Sequence, residues 1–170
     1  PYYITTGDGK DKIAISEPKN PTSYSGVKIL AGEGNDIVAT CSNTNIECEG
    51  QDYIDGGGGD DAIIAYGGND TIYGGTGNDH LLGGTGDDYI DGQNGIDQIR
   101  GEAGDDTLYG GNQNDSLFGQ QGNDTLRGGT GDDLLFGGEG DDLVFGDAGT
   151  DSIHWNYTQG NDTNDGGSGT

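Results

Sequence analysis

From Glu47 to His154 the chain repeats a nine-residue unit twelve times without insertion or deletion. With Gly74 counted as position 1, position 6 is Asp in every unit: Asp52, Asp61, Asp70, Asp79, Asp88, Asp97, Asp106, Asp115, Asp124, Asp133, Asp142 and Asp151. Position 8 is aliphatic in every unit, from Ile54 through Leu108 to Ile153. Position 4 is Gly in eleven of the twelve, Gln113 being the exception, and position 1 is Gly in ten, with Glu47 and Ala65 departing. So short a period is a single supersecondary unit that cannot bury its apolar face alone; stacked neighbours must do it.

Three outlying units share the pattern. "TGDGKDKIA" (6–14) and "AGEGNDIVA" (31–39) precede the array and add Asp11 and Asp36. "YTQGNDTND" (157–165) follows it after a slip at Trp155 and Asn156, and adds Asp162. That last unit has Asn164 in the aliphatic place, so it lacks an inward side chain for a strand. The expected division is therefore threefold. Residues 1–46 form an N-terminal capping segment with two isolated repeats and an exposed loop at "SEPKNPTSY", residues 47–154 form the array, and residues 155–170 cap or continue it, with Trp155 over the open end.

Within a unit, the stretch G-G-x-G-[ND]-D disfavours helix, because Gly is costly there and Asn and Asp prefer turns. Its glycines admit positive φ and let backbone carbonyls come close to a ligand. The three following residues place one aliphatic inward between two outward side chains, which is the period of a very short strand. Turn and strand then alternate into a coil, two nonamers per circuit, with position 8 filling a thin interior. Such a coil stacks aspartates in columns about 4.8 Å apart, where like charges repel. A divalent cation between circuits reverses the sign of that interaction. Carboxylate and carbonyl are hard oxygen ligands that suit Ca²⁺ better than Zn²⁺ or Cu²⁺, while Mg²⁺ prefers to keep its waters. If units n and n+2 share one ion, twelve units form ten sites, and ten or so Ca²⁺ ions nearly cancel the net charge of −25.

The composition agrees. Only 28 % of residues are hydrophobic, and 31 acidic side chains face 6 basic ones. A chain of that kind stays disordered until something is added. Nucleic acid and anionic membranes, which recruit Lys and Arg, are excluded as partners. There is no apolar run near the length of a membrane span. Pro1 stands first, no Met occurs, and "GGSGT" at the end opens a further unit, which suggests a piece of a longer protein. Cys41 and Cys48 could close a small disulfide loop or remain two free thiols; a Zn site would need two further ligands, and none lies near in sequence.

Catalysis is not expected. His80 and His154 fall on strand exteriors, no Ser or Cys has a base at defined spacing, and the carboxylates are committed to turns. One outward file, Ile64, Leu82, Arg100, Phe118, Phe136 and His154, is a fairly apolar stripe. Its members Ile64, Leu82, Phe118 and Phe136 are candidates for contact with another domain or another copy of the chain.

The units "GGTGNDHLL", "GGTGDDYID", "GGTGDDLLF" and "GGEGDDLVF" match G-G-x-G-x-D-x-U-x, U being a large aliphatic, at every fixed position. They resemble the repeats-in-toxin (RTX) calcium-binding nonapeptide family, and the fifteen units cover about 135 of the 170 residues. The resemblance implies an all-β fold, a parallel β-roll (a right-handed β-helix solenoid) with calcium in the turns. Carried over unit by unit, it gives the metal-ligand role to Asp11, Asp36 and Asp162 together with the twelve array aspartates; Tyr66 at position 2 and Gln113 at position 4 depart from the pattern. It further implies type I secretion as an unfolded chain and folding on calcium outside the cell. Two other functions fit the same residues: a self-associating filament or surface-layer module, and an accessory module for polysaccharide or another surface, bridged by calcium.

Overall fold

Each nonamer leaves one strand behind and reverses the chain. The computed structural model describes residues 2–15, 26–40, 50–154 and 163–166. Four short strands come first: β1 (Tyr2–Thr5), β2 (Lys12–Ala14), β3 (Val27–Leu30) and β4 (Ile37–Ala39). Eleven strands of six residues follow at nine-residue intervals: β5 (Tyr53–Gly58), β6 (Ala62–Gly67), β7 (Thr71–Thr76), β8 (His80–Thr85), β9 (Tyr89–Asn94), β10 (Gln98–Ala103), β11 (Thr107–Asn112), β12 (Ser116–Gln121), β13 (Thr125–Thr130), β14 (Leu134–Glu139) and β15 (Leu143–Ala148). Then come β16 (Ser152–His154) and β17 (Thr163–Asp165).

Odd strands pair in order into a nine-stranded parallel sheet and even strands into an eight-stranded one. A circuit is thus two nonamers, and the register sets each position on its own kind, Ile72 beside Ile90 and Leu108 beside Leu126. The result is an all-β solenoid. None of its described segments is a helix long and apolar enough to cross a membrane.

The six-residue strands are twice the length expected, running through positions 7–9 and on through 1–3. Glycine reads as a strand breaker in a sequence, yet here the pairing of circuit on circuit carries the glycines along, Gly57 beside Gly75 and Gly75 beside Gln93. Position 1 is skipped in the ladder and position 2 takes positive φ, +115° at Gly75 and +124° at Gly84, which marks a bulge. Position 2 keeps positive φ where it is not Gly, 76° at Tyr66 and 72° at Gln93, and so does Gln113 at position 4, with φ 79°. These departures from the repeat keep its turn geometry.

The interior is a double file of position-8 side chains, with Ile54, Ile63, Ile72, Ile90, Ile99, Leu108, Leu117, Leu126, Leu135 and Val144 at 0 % exposure. Two more turns of core lie at the N-terminal end, where β1 and β3 set Ile4 on Ile29 and Ile29 on Ile54. These strands were not expected, because the place of their position-6 Asp is taken by Tyr2 and Val27. β17 also pairs with β15, Asn164 beside Val144, although it has no aliphatic to bury: backbone hydrogen bonds suffice to extend an existing edge. The expected loop at 16–24, the Cys41–Cys48 pair and the Trp155 cap lie outside the described residues.

Candidate metal centre

The two reversals of each circuit carry the position-6 aspartates in two files. One file is Asp11, Asp36, Asp61, Asp79, Asp97, Asp115, Asp133 and Asp151, each just before an even strand; the other is Asp52, Asp70, Asp88, Asp106, Asp124 and Asp142, each just before an odd one. Asp162 lies outside the described residues. Within a file each carboxylate reaches back one circuit. Asp79 Oδ1 accepts the backbone N–H of Asp61 at 2.8 Å, Asp97 that of Asp79 at 2.8 Å, and Asp115 that of Asp97 at 2.9 Å. The outlying units join the same ladder, Asp36 accepting from Asp11 at 2.8 Å and Asp61 from Asp36 at 2.7 Å. A side chain one methylene long, held in a turn, spans a single inter-strand step; this explains why Asp rather than Glu recurs.

The second oxygen is the telling one. Oδ2 of Asp61, Asp79, Asp97, Asp115 and Asp133, and likewise of Asp70, Asp88, Asp106 and Asp124, is buried with no hydrogen-bond donor. A buried carboxylate oxygen left without a partner is costly unless a proton or a cation meets it. In every one of these units but that of Asp70, where Ala65 takes the place, a position-1 glycine of the same unit lies beside it. The point that a methyl on Gly56 would occupy lies 2.5 Å from Asp61 Oδ2 and 2.5 Å from the carbonyl oxygen of Gly74, one circuit on. Over Gly110 the corresponding distances to Asp115 Oδ2 and Gly128 O are again 2.5 and 2.5 Å, and over Gly74 they are 2.5 and 2.9 Å to Asp79 Oδ2 and Gly92 O. A side chain at position 1 would therefore press on both of these hard oxygens.

Burial also governs protonation. In the metal-free coil desolvation raises the carboxyls of Asp61, Asp79, Asp88 and Asp97 to about 6, Asp124 to about 7, and Asp70, Asp106 and Asp115 to about 8. The N–H donated to each Oδ1 works against the rise, and neighbouring carboxylates add to it. Each group is set to hold a proton or a cation, not a bare charge.

Among the described residues no three His, Cys, Asp or Glu side chains gather at one point. The files are rows of single carboxylates, so an ion there must complete its shell from backbone carbonyls. Carbonyls are at hand: Gly57 O and Gly59 O point along the axis at Gly75 and Gly77 of the next circuit. Oxygen-only coordination of this type fits Ca²⁺ and not a nitrogen- or sulfur-seeking metal. His80 and His154 are exposed on outer strand faces, away from both files.

Two features of the sequence were missed. Position 5 forms a ladder in the opposite sense: Asp60 Oδ1 accepts the N–H of Asn78, Asn78 Oδ1 that of Ile96, and Asp87 Oδ1 that of Asp105. Its signal was the run of Asn and Asp at that place, overlooked beside the invariant position 6. On the nine-stranded sheet Tyr53, Tyr73, Tyr89 and Tyr109 form a zigzag file with ring centroids 5.5–5.9 Å apart. The chain announces it as "YID", "TIY", "YID" and "TLY" on successive odd strands.

A family model described as the RTX calcium-binding nonapeptide repeat (4 copies) matches residues 49–81, 64–99, 82–117, 91–126 and 118–153. No curated protein matches the chain.

Proposed function

The chain belongs to the RTX calcium-binding nonapeptide repeat family, and from that premise we propose that it is the calcium-triggered folding module of a secreted protein. The position-6 aspartates of both files, with the outlying Asp11, Asp36 and Asp162, are its ligands. The observation that carries this reading is the row of buried Oδ2 atoms without a hydrogen-bond donor, from Asp61 to Asp133 in one file and from Asp70 to Asp124 in the other. A bound Ca²⁺ supplies the positive charge that the carboxylates otherwise take from protons. The chain's own groups do the rest. Oδ1 holds the neighbouring circuit through its N–H, the position-1 glycine leaves Oδ2 unobstructed, and the position-8 aliphatic excludes water from behind it.

With a net charge of −25 and one buried aliphatic per nonamer, the chain without calcium gains too little from burial to offset its ordering entropy and its self-repulsion. It would leave the cell unfolded and coil on meeting calcium outside, as a part of an extracellular or surface protein. RTX repeats and β-solenoids are structural elements, and the reading gives this segment no reaction to catalyse. Far-UV circular dichroism during a calcium titration, with magnesium as control, tests it. At pH 8, a cooperative gain of β-structure with calcium alone supports the proposal; a coil already complete in chelator at that pH refutes it.

A further inference from the structure

The outward face of the eight-stranded sheet is graded in size along the coil. At position 9 it begins with Ala14 and Ala39, continues with Ile64, Leu82 and Arg100, and ends with the rings of Phe118, Phe136 and His154. The rings are stacked plates, Phe118 on Phe136 at 5.0 Å and 8°, Phe136 on His154 at 4.5 Å and 9°. Ahead of them Ile64 and Leu82 line a shallow groove of about 230 Å³. The face is thus a wedge with a ridge at one end and a hollow before it. No position 7 or 9 from β2 to β16 is Asp or Glu, in a chain with 31 such residues; the carboxylates of these strands are Glu102 and Glu139, beyond position 9. The nine-stranded sheet differs on both counts, carrying Asp55 and Asp91 and an even file of tyrosines.

We infer that this face pairs with the same face of a second copy, through a two-fold axis parallel to the strands, so that the two coils run antiparallel. That operation sets each position on its own kind and thick on thin. Ala39 then meets Phe136 of the second copy, Ile64 meets its Phe118, and Ile37, which is 47 % exposed, meets its Leu134. Arg100 falls on Leu82 of the other copy and not on its counterpart, so no like charges are opposed. A parallel pairing would set ring on ring at one end and leave a gap over the alanines at the other. Charge selects the partner as well: approach by either turn edge brings aspartate against aspartate, whereas this face brings none. Eight strands about 4.8 Å apart present on the order of 500 Å² a side, about 1,000 Å² in total, which is the lower bound for a specific pair. Being isologous, the contact closes at two and does not grow into a filament.

The inference rests on the coil of the preceding subsection, and sedimentation equilibrium of the calcium-loaded chain tests it. The 17.4 kDa chain should double in mass as its concentration rises through the micromolar range. Phe136→Asp and Ala39→Lys, at opposite ends of the wedge, should each weaken pairing at least tenfold, and the two variants mixed should pair with one another better than either does with itself. Thr107→Asp on the other sheet should change nothing. A monomer at every concentration, a mass that climbs past two copies, or pairing indifferent to both variants overturns the inference. Circular dichroism of the same samples keeps the two readings apart. A chain folded in chelator at pH 8 defeats the calcium proposal alone, and sedimentation in chelator then decides the pairing.

Discussion

In the central array a circuit takes 18 residues, and at the N-terminal end it takes 25, yet both build the same ladder. Asp97 Oδ1 receives the N–H of Asp79 across 18 residues, and Asp61 Oδ1 receives that of Asp36 across 25, at 2.8 and 2.7 Å. The added residues fall at the reversals between even and odd strands, after Ile15 and after Thr40, whereas the opposite reversals keep their unit length throughout. Position 8 is buried in both regions, Ile29 and Val38 as fully as Ile90 and Leu108. The lesson is that period is not what holds the coil. What holds it is the recurrence of an aspartate, a glycine and an aliphatic at three places of each circuit; the spacing between circuits can lengthen on one edge without loss of register.

The sharpest way to break the comparison is a methyl group at a glycine. In the array a Cβ on Gly101, at position 1, would land on Asp106 Oδ2 and displace it. Gly101→Ala should therefore abolish calcium binding at that turn and cost about 2–4 kcal/mol of unfolding free energy in calcium. At the N-terminal end a Cβ on Gly7, at position 2, meets nothing within 4 Å, and Gly7→Ala should stay within about 0.5 kcal/mol. Urea unfolding at fixed calcium measures both. Equal losses would mean that the contact of Gly101 with Oδ2 has no special role.

Removing the proposed ligands gives a smaller contrast. Asp97→Ala orphans the Asp79 N–H in a fully buried site, and should cost about 1–3 kcal/mol and one ion in a calorimetric count. Asp11→Ala, half-exposed at the head of its file, should cost less than half as much. If the two are equal, the file is not cooperative along its length.

Acidity separates the protonated from the metal-filled coil. The eight position-6 carboxyls from Asp61 to Asp124 have folded-state values raised to about 6–8 from 3.8, so the chelated coil binds more protons than the unfolded chain. Their contribution is complete below about pH 4 and is lost as pH climbs through 6 to 8. In chelator, β-structure should therefore be retained at pH 4–5 and lost by pH 8. In calcium, which competes with those protons, the midpoint calcium concentration should instead fall as pH rises. A pH-independent midpoint would show that the buried carboxyls do not exchange protons for metal. The smallest effect is expected at Gln113, held at φ 79° where the other array units have Gly; Gln113→Gly should stabilise the coil by about 1 kcal/mol in the same urea assay.

Much of this was legible beforehand. An Asp and an aliphatic repeated in strict phase report burial and turn directly, and the two-nonamer circuit follows from counting. The rest was hidden for physical reasons. β1 and β3 lack the aspartate that anchors the register, so Ile4 and Ile29 read as unconnected residues. The glycines at positions 1–3 look like turn, and only pairing across circuits draws them into strands. The tyrosine file alternates between positions 7 and 9, so each ring finds its neighbour on the next strand and not in the next unit. The graded face of the even strands appears only when every second unit is read.

The most direct measurement is long-wavelength anomalous diffraction from crystals grown in calcium. Two rows of peaks, one along each turn edge and each peak beside a position-6 Oδ2 and the position-1 glycine of its unit, are the predicted result. Peaks scattered over the exposed position-5 carboxylates, with the Oδ2 atoms still without a cation, would contradict the account.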